Sequence, residues 1–247
     1  MLENFQTTSI FMGLFLRKLE VNDFQKFAES LPWRLPEFDG EVQVNPQQTN
    51  LPPDAPRVRF GSKDGRLLLE VAPAKIHFRM MPGEVTRNAQ GANIQALPVG
   101  KAYANFIPQA TRLYTTLQDH FGAMANRVGV ITDLIAPTPS SANQRMQQVL
   151  MADSDLLGDR LQELTISALV RATLKDGVNV NRRINLRPLR TGQEGNPDLI
   201  LNANIDINTV ADEPYDLGTD ELASFLSNTS EHIQNNIPFL NEGGLFQ

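Results

Sequence analysis

The chain has 247 residues, 41% hydrophobic and 20% charged, with a net charge of −6 at pH 7 and no cysteine. The acidic balance argues against a protein built mainly to coat nucleic acid, while leaving room for a local basic patch. Lack of cysteine excludes disulfides, thiolate metal sites and a Cys nucleophile, and fits a reducing cytoplasm.

Glu3 stands where a secretory signal would carry positive charge, and the apolar run Ile10 to Leu16 is too short to span a bilayer, so a soluble cytoplasmic protein with no membrane partner is expected. In that run Ile10, Met12, Leu14 and Leu16 alternate with Phe11, Phe15 and Arg17, which predicts a strand with one fully buried face. Val21 to Leu31 reads as a short helix with the stripe Phe24, Phe27, Leu31, closed by Pro32. From Pro36 to Pro56 apolar residues thin out and five prolines follow Leu35, marking a surface crossing.

Strands are expected at 57–62, 66–72 and 75–81, the first two joined by Asp64-Gly65, where two positive-φ residues would make a tight hairpin. A long helix at 105–122 and an apolar run at 127–136 follow. The segment Ser140 to Leu157 looks helical, strands at 161–175 and 178–189 meet at Asp176-Gly177, Leu199 to Thr209 makes the last strand, and Thr219 caps the last helix.

Val58-Arg59-Phe60-Gly61-Ser62-Lys63-Asp64-Gly65 returns as Val170-Arg171-Ala172-Thr173-Leu174-Lys175-Asp176-Gly177, five identities in eight at an offset of 112 (170 minus 58). A match of this size arises by chance about once in such a chain. The same offset carries Gly83 onto Gly195 and Asp119-His120-Phe121 onto Glu231-His232-Ile233. It also carries the helical stripe Ala110, Leu113, Tyr114, Leu117, Phe121 onto Leu222, Phe225, Leu226, Thr229, Ile233, in which only Thr229 is polar. The expected fold is therefore α+β: two internally duplicated β-α-β-β-β-α halves, residues 1–125 and 126–247, in one compact pseudo-twofold unit whose antiparallel sheet is covered on one face by helices.

The order of these elements resembles a sporadically distributed prokaryotic family of similar length and uncharacterised function. Arg57-Val58-Arg59-Phe60, Asp64-Gly65-Arg66, Val71, the Phe106 to Phe121 helix, Arg127-Val128-Gly129 and the Asp206 strand with its helix carry the resemblance. It implies a fold and no chemistry, and the scattered distribution suits accessory or defence loci by analogy alone.

Strand parity places Val58, Phe60, Leu67, Leu69, Val71, Ile76, Phe78 and Met80 on a core face and Arg57, Arg59, Arg66, Lys75, His77 and Arg79 on the other. In the second half Arg183 and Arg187 alternate out with Asn179, Asn181 and Asn185, and the last strand presents Asn202, Asn204, Asp206 and Asn208. Such a face of planar guanidinium forks and amides suits phosphates or an acidic partner; the plainer reading is a sheet face turned to water. Arg57, Arg59, Arg66, His77, Arg79, Arg183 and Arg187 are the candidate partner-binding residues. No aromatic is assigned to this face, so another protein ranks ahead of nucleic acid as the partner.

His120 and His232 end their helices, where the dipole favours an imidazolium, and capping explains them better than a paired catalytic site. His77, between Lys75 and Arg79, reads as a solvated sheet residue. Asp153, Asp155, Gly158 and Asp159 are spaced like the opening of a calcium loop, but Leu157 and Leu164 occupy ligand positions and rule it out. Phosphate-binding Gly-rich loops, His-Glu-x-x-His and Gly-x-Ser-x-Gly are absent from the sequence, so no catalytic residue, metal or cofactor is assigned. The expected function is a non-catalytic protein-binding or assembly subunit, with a nucleic-acid-binding accessory protein as the alternative and an enzyme with a composite site third.

Overall fold

A computed structural model describes residues 5–16, 24–45, 52–83, 85–88, 91–122, 125–137, 165–189, 200–211 and 217–236. The protein is mixed α+β, with a large antiparallel sheet and, among the described residues, three helices. The elements of the N-terminal part are β1 (Gln6–Leu16), α1 (Phe24–Arg34), β2 (Val42–Val44), β3 (Val58–Gly61), β4 (Leu67–Val71), β5 (Lys75–Met80), β6 (Val85–Asn88), β7 (Gly91–Ile94), β8 (Leu97–Pro98) and α2 (Val99–Phe121). The chain continues through β9 (Ala125–Pro137), β10 (Ile166–Thr173), β11 (Asn179–Leu189), β12 (Ile200–Thr209) and α3 (Thr219–Asn236). The segments at Ser140 to Leu157, Asp153 to Asp159 and Gly195 lie outside the described residues.

The sheet runs β10-β11-β12-β9-β1-β5-β4-β3-β2, with β8 on β1 and a separate β6–β7 hairpin. β1 and β9 lie side by side at its middle, Gly13 opposite Gly129. Outward from β1 come β5, β4, β3 and β2, and outward from β9 come β12, β11 and β10, all antiparallel. Both Asp-Gly turns join adjacent antiparallel strands.

Their geometry departs from the expected two-residue turn. Gly65 N–H bonds Ser62 O and Gly177 N–H bonds Leu174 O, each at 2.9 Å, so glycine takes the last turn position, at φ 76° and 85°. Around Gly177 this is a three-residue loop, a type I turn followed by a glycine bulge, and around Gly65 the same turn sits in a four-residue loop; both glycines take a positive φ. The closing bonds, Ser62 N to Leu67 O and Leu174 N to Val178 O, show the second loop one residue shorter, so beyond the turn the spacing falls to 111 (178 minus 67).

Alternation along the strands builds the core. Ile10, Met12, Leu14, Val58, Phe60, Leu69, Ile76, Phe78, Val130, Val180 and Ile207 are buried in one cluster with Phe27, Phe106, Leu113, Leu117, Phe225 and Ile233 of the helices. Phe27 meets Phe60 edge-on at 5.7 Å and Phe78 stacks on Phe106 at 5.3 Å. Phe121 is half-buried against Phe24 and Phe27. Two tyrosines of α2 bond across the centre: Tyr103 Oη to Thr132 Oγ1 at 2.7 Å, and Tyr114 Oη to Leu217 O, while Ala125 N–H donates back to Tyr114 Oη at 3.1 Å. Burial drives the Tyr103 phenol far above its ordinary value.

Helix ends differ from expectation in three places. α1 continues through Pro32 to Arg34, since a proline in the last turn displaces few intrahelical bonds. α2 starts at Val99, directly after Pro98, and closes where Gly122 takes φ 60° and donates to Gln118 O. Thr219 opens α3 with its hydroxyl donating to Gln118 Oε1 at 2.8 Å, which ties α3 to α2 instead of capping the helix.

Candidate functional site

Residues opposite each other in an antiparallel ladder share a face, so the pairing register maps the side of the sheet away from the core cluster. One row crosses nine strands: Gln43, Arg59, Glu70, His77, Gly13, Gly129, Asn208, Asn181, Arg171. The next runs Gly61, Leu68, Arg79, Phe11, Ile131, Asp206, Arg183, Leu169. On the other side of the first row, Lys75 faces Phe15 and Phe15 faces Arg127.

Four of the predicted residues reach this face as expected. Arg59 is exposed and its Nε donates to Glu70 Oε1 at 2.8 Å. Arg79 is half-buried, its Nε without a hydrogen-bond partner. Arg183 is exposed opposite Asp206, and Arg187 is exposed with its Nε donating to Asn202 Oδ1 at 3.3 Å.

Arg66 is exposed as expected but lies at the hairpin end, and Arg57 and His77 are corrections. Arg57 is buried at 8% exposure, its guanidinium donating to Ala55 O at 3.0 Å and Pro52 O at 3.3 Å, so it anchors the proline-rich crossing and presents no charge to solvent. Arg66 sits at the hairpin end, tied by Nε to Asp64 Oδ2 at 2.6 Å. Partial burial pushes the Asp64 carboxyl up, but hydrogen bonds from Ser62 and Arg66 outweigh it and bring it down to about 2. His77 is half-buried, its ring 4.8 Å from Phe11 and its Nδ1 3.5 Å from Glu70 Oε2. Burial and the neighbouring Lys75 charge lower its pKa against the pull of Glu70, so it is a packed imidazole and not a solvated one.

The expectation that this face lacks aromatics is also corrected. Phe11 and Phe15 lie at its centre, with the Lys75 Nζ 5.0 Å and the Arg127 guanidinium 4.7 Å from the Phe15 ring centroid. Arg127 and the two phenylalanines are the residues sequence reasoning missed as a group. The alternation in 10–16 already put Phe11 and Phe15 opposite the core; what was missing was the central position of β1. At Gly129 a Cβ would come within 1.7 Å of Asn208 Oδ1, so the Asn208 side chain would have to move, whereas at Gly13 the nearest atom would be 3.8 Å away. Gly13 therefore leaves the floor between the two rings bare without a packing reason of its own.

Charge along the face is uneven. Among the described residues, Lys75, Arg79 and Arg127 have no carboxylate within ion-pair distance, while Arg59 has Glu70. Asp206 is driven upward by burial, against the pull of Asn208 and Arg183.

The two helix-terminal histidines diverge. His120 packs its ring on Phe27 at 5.2 Å and Phe121 at 4.6 Å. His232 Nε2 lies 2.9 Å from Arg182 Nη1, and burial together with that charge lowers its pKa, opposite to the imidazolium expected from the dipole. A cleft of about 700 Å³ between the first hairpin and α2 includes Glu37, Asp39 and Asp64 in its lining, each paired, to Arg112, Lys63 and Arg66. No helix among the described residues is long and apolar enough to cross a membrane. No protein-family model matches the chain, and no curated protein matches it.

Proposed function

We propose that the chain is a non-catalytic binding or assembly subunit that engages another protein through the sheet face carrying Phe11, Phe15, Lys75, Arg79 and Arg127. The observation that carries this reading is the cluster of three cations without carboxylate partners around two aromatic rings, on a chain of net charge −6. An acidic segment with an apolar anchor matches it, the anchor on the rings and the carboxylates on the cations. The fold reading beneath it is a duplication, residues 1–125 and 126–247, whose helices cover one face and leave the other to the partner. The mirrored strand order, both Asp-Gly turns and the matched helical stripes support it, and the likeness to the sporadic prokaryotic family belongs to the same reading.

The test replaces Lys75, Arg79 and Arg127 together by Ser and compares capture of the natural partner from lysate with the wild type at matched thermal midpoint. Lost capture supports the reading; unchanged capture by a folded variant sinks it.

A second reading, single-stranded nucleic acid, is favoured by one observation: Phe11 and Phe15 supply stacking platforms among the cations. Salt-dependent binding of a labelled single-stranded oligonucleotide, abolished by Phe15→Ala, would move the assignment there.

A further inference from the structure

Among the described residues β10 ends the sheet, and the hydrogen bonds at its turn fix what that edge offers. Leu174 directs both its N–H and its C=O toward the β11 side, to Val178 and Gly177. Backbone groups alternate in an antiparallel ladder, so Ser167, Leu169, Arg171 and Thr173 direct theirs off the sheet. Every residue from Ser167 to Arg171 is exposed, with Leu169 at 62% and Val170 at 45% on opposite faces. The opposite edge, β2, has three residues. Sheet edges are ordinarily protected by shortness, proline, bulges or inward charge. β10 pairs with β11 over eight residues without a register shift, and has no proline and a single cation.

We propose that β10 is a dimerisation edge, on which a second copy of this chain lays its own β10 antiparallel across a twofold axis. Pairing that keeps each face continuous sets residues of like parity opposite one another. With Leu169 on the axis it meets its own counterpart, Ala168 meets Val170, Ile166 meets Ala172, and Arg171 meets Ser167. Every apolar residue then has an apolar partner and no like charges meet. A shift that puts Val170 on the axis sets Leu169 against Arg171, and one further step sets Arg171 against itself. An acidic strand would find one cation here, and β2 of another copy would cover three of the eight positions. A second β10 matches both length and alternation.

Sedimentation equilibrium of the full chain tests this. The wild type is expected to sediment as a dimer, and Leu169→Lys and Leu169→Asp each as a folded monomer whose thermal midpoint falls only by the lost dimer linkage, because the position is exposed. Mixing the two variants should restore a dimer, since residue 169 faces itself across the axis. A monomeric wild type, a dimer that survives both substitutions, or a mixture that stays monomeric would overturn the proposal.

Discussion

Val58 and Val170 stand at matching positions of two Asp-Gly hairpins, yet the first is fully buried and the second is 45% exposed. The loops differ by one residue, but both place a glycine at the end of the turn and both join antiparallel strands, so the difference in burial comes from outside the hairpins. β3 has β2 beyond it, and its Phe60 lies against Phe27 of α1 and Phe38. β10 is the last strand of the described sheet. A hairpin's own residues fix its turn and alternation; what lies across the next ladder decides whether that alternation is used as core or left as surface.

The contrast breaks most visibly on large side chains. Phe60→Ala should cost about 3–5 kcal/mol in urea denaturation, the usual loss for a buried Phe, and Phe225→Ala should match it. Val170→Ala should change monomer stability by less than about 0.5 kcal/mol. A Val170→Ala loss as large as that of Phe60→Ala would show that the second hairpin is buried after all.

A smaller effect probes the bond that ties α2 to β9. Tyr103→Phe removes the partner of Thr132 Oγ1 inside the core, and a buried hydroxyl left unpaired costs about 1–3 kcal/mol. A variant as stable as the wild type would place that tie outside the stabilising set.

The smallest expected effect is electrostatic. The lowered pKa values of His77 and His232 mean that the unfolded chain takes up protons more readily than the folded one as the solution is acidified. Their contribution is complete above the ordinary histidine value of 6.5 and is lost as pH falls through the lowered folded values. Thermal midpoints taken from about pH 8 to about pH 5 should fall less steeply in His77→Gln and His232→Gln than in the wild type. Parallel curves would mean that neither imidazole is held neutral by the fold.

Period-two alternation made the core faces legible from sequence, because one buried face forces every second residue to be apolar; Ile10 to Leu16 and Leu67 to Met80 follow it. The helical stripes were legible for the same reason at spacings of three and four. Arg57 escaped because its fate depends on carbonyls of a proline-rich crossing that parity does not describe. The Phe11, Phe15 and Arg127 cluster escaped because it forms only where β1 and β9 meet, across more than a hundred residues of chain that local signals do not connect. The turn type was misread because Asp-Gly serves both a two-residue turn and a glycine bulge, and loop closure one residue further on decides between them.

The central place of β1 also sets a timetable for the ribosome. β1 is made before the strands that flank it: of the residues that face Gly13, His77 arrives after 64 positions (77 minus 13) and Gly129 after 116 (129 minus 13). At about 5–20 residues per second, the β9 side of β1 stays unpaired for roughly 3 to 10 s after the β5 side can close. In that interval the nascent chain holds a half-built sheet with one unpaired strand edge, the kind of edge that invites misassociation until translation passes β9.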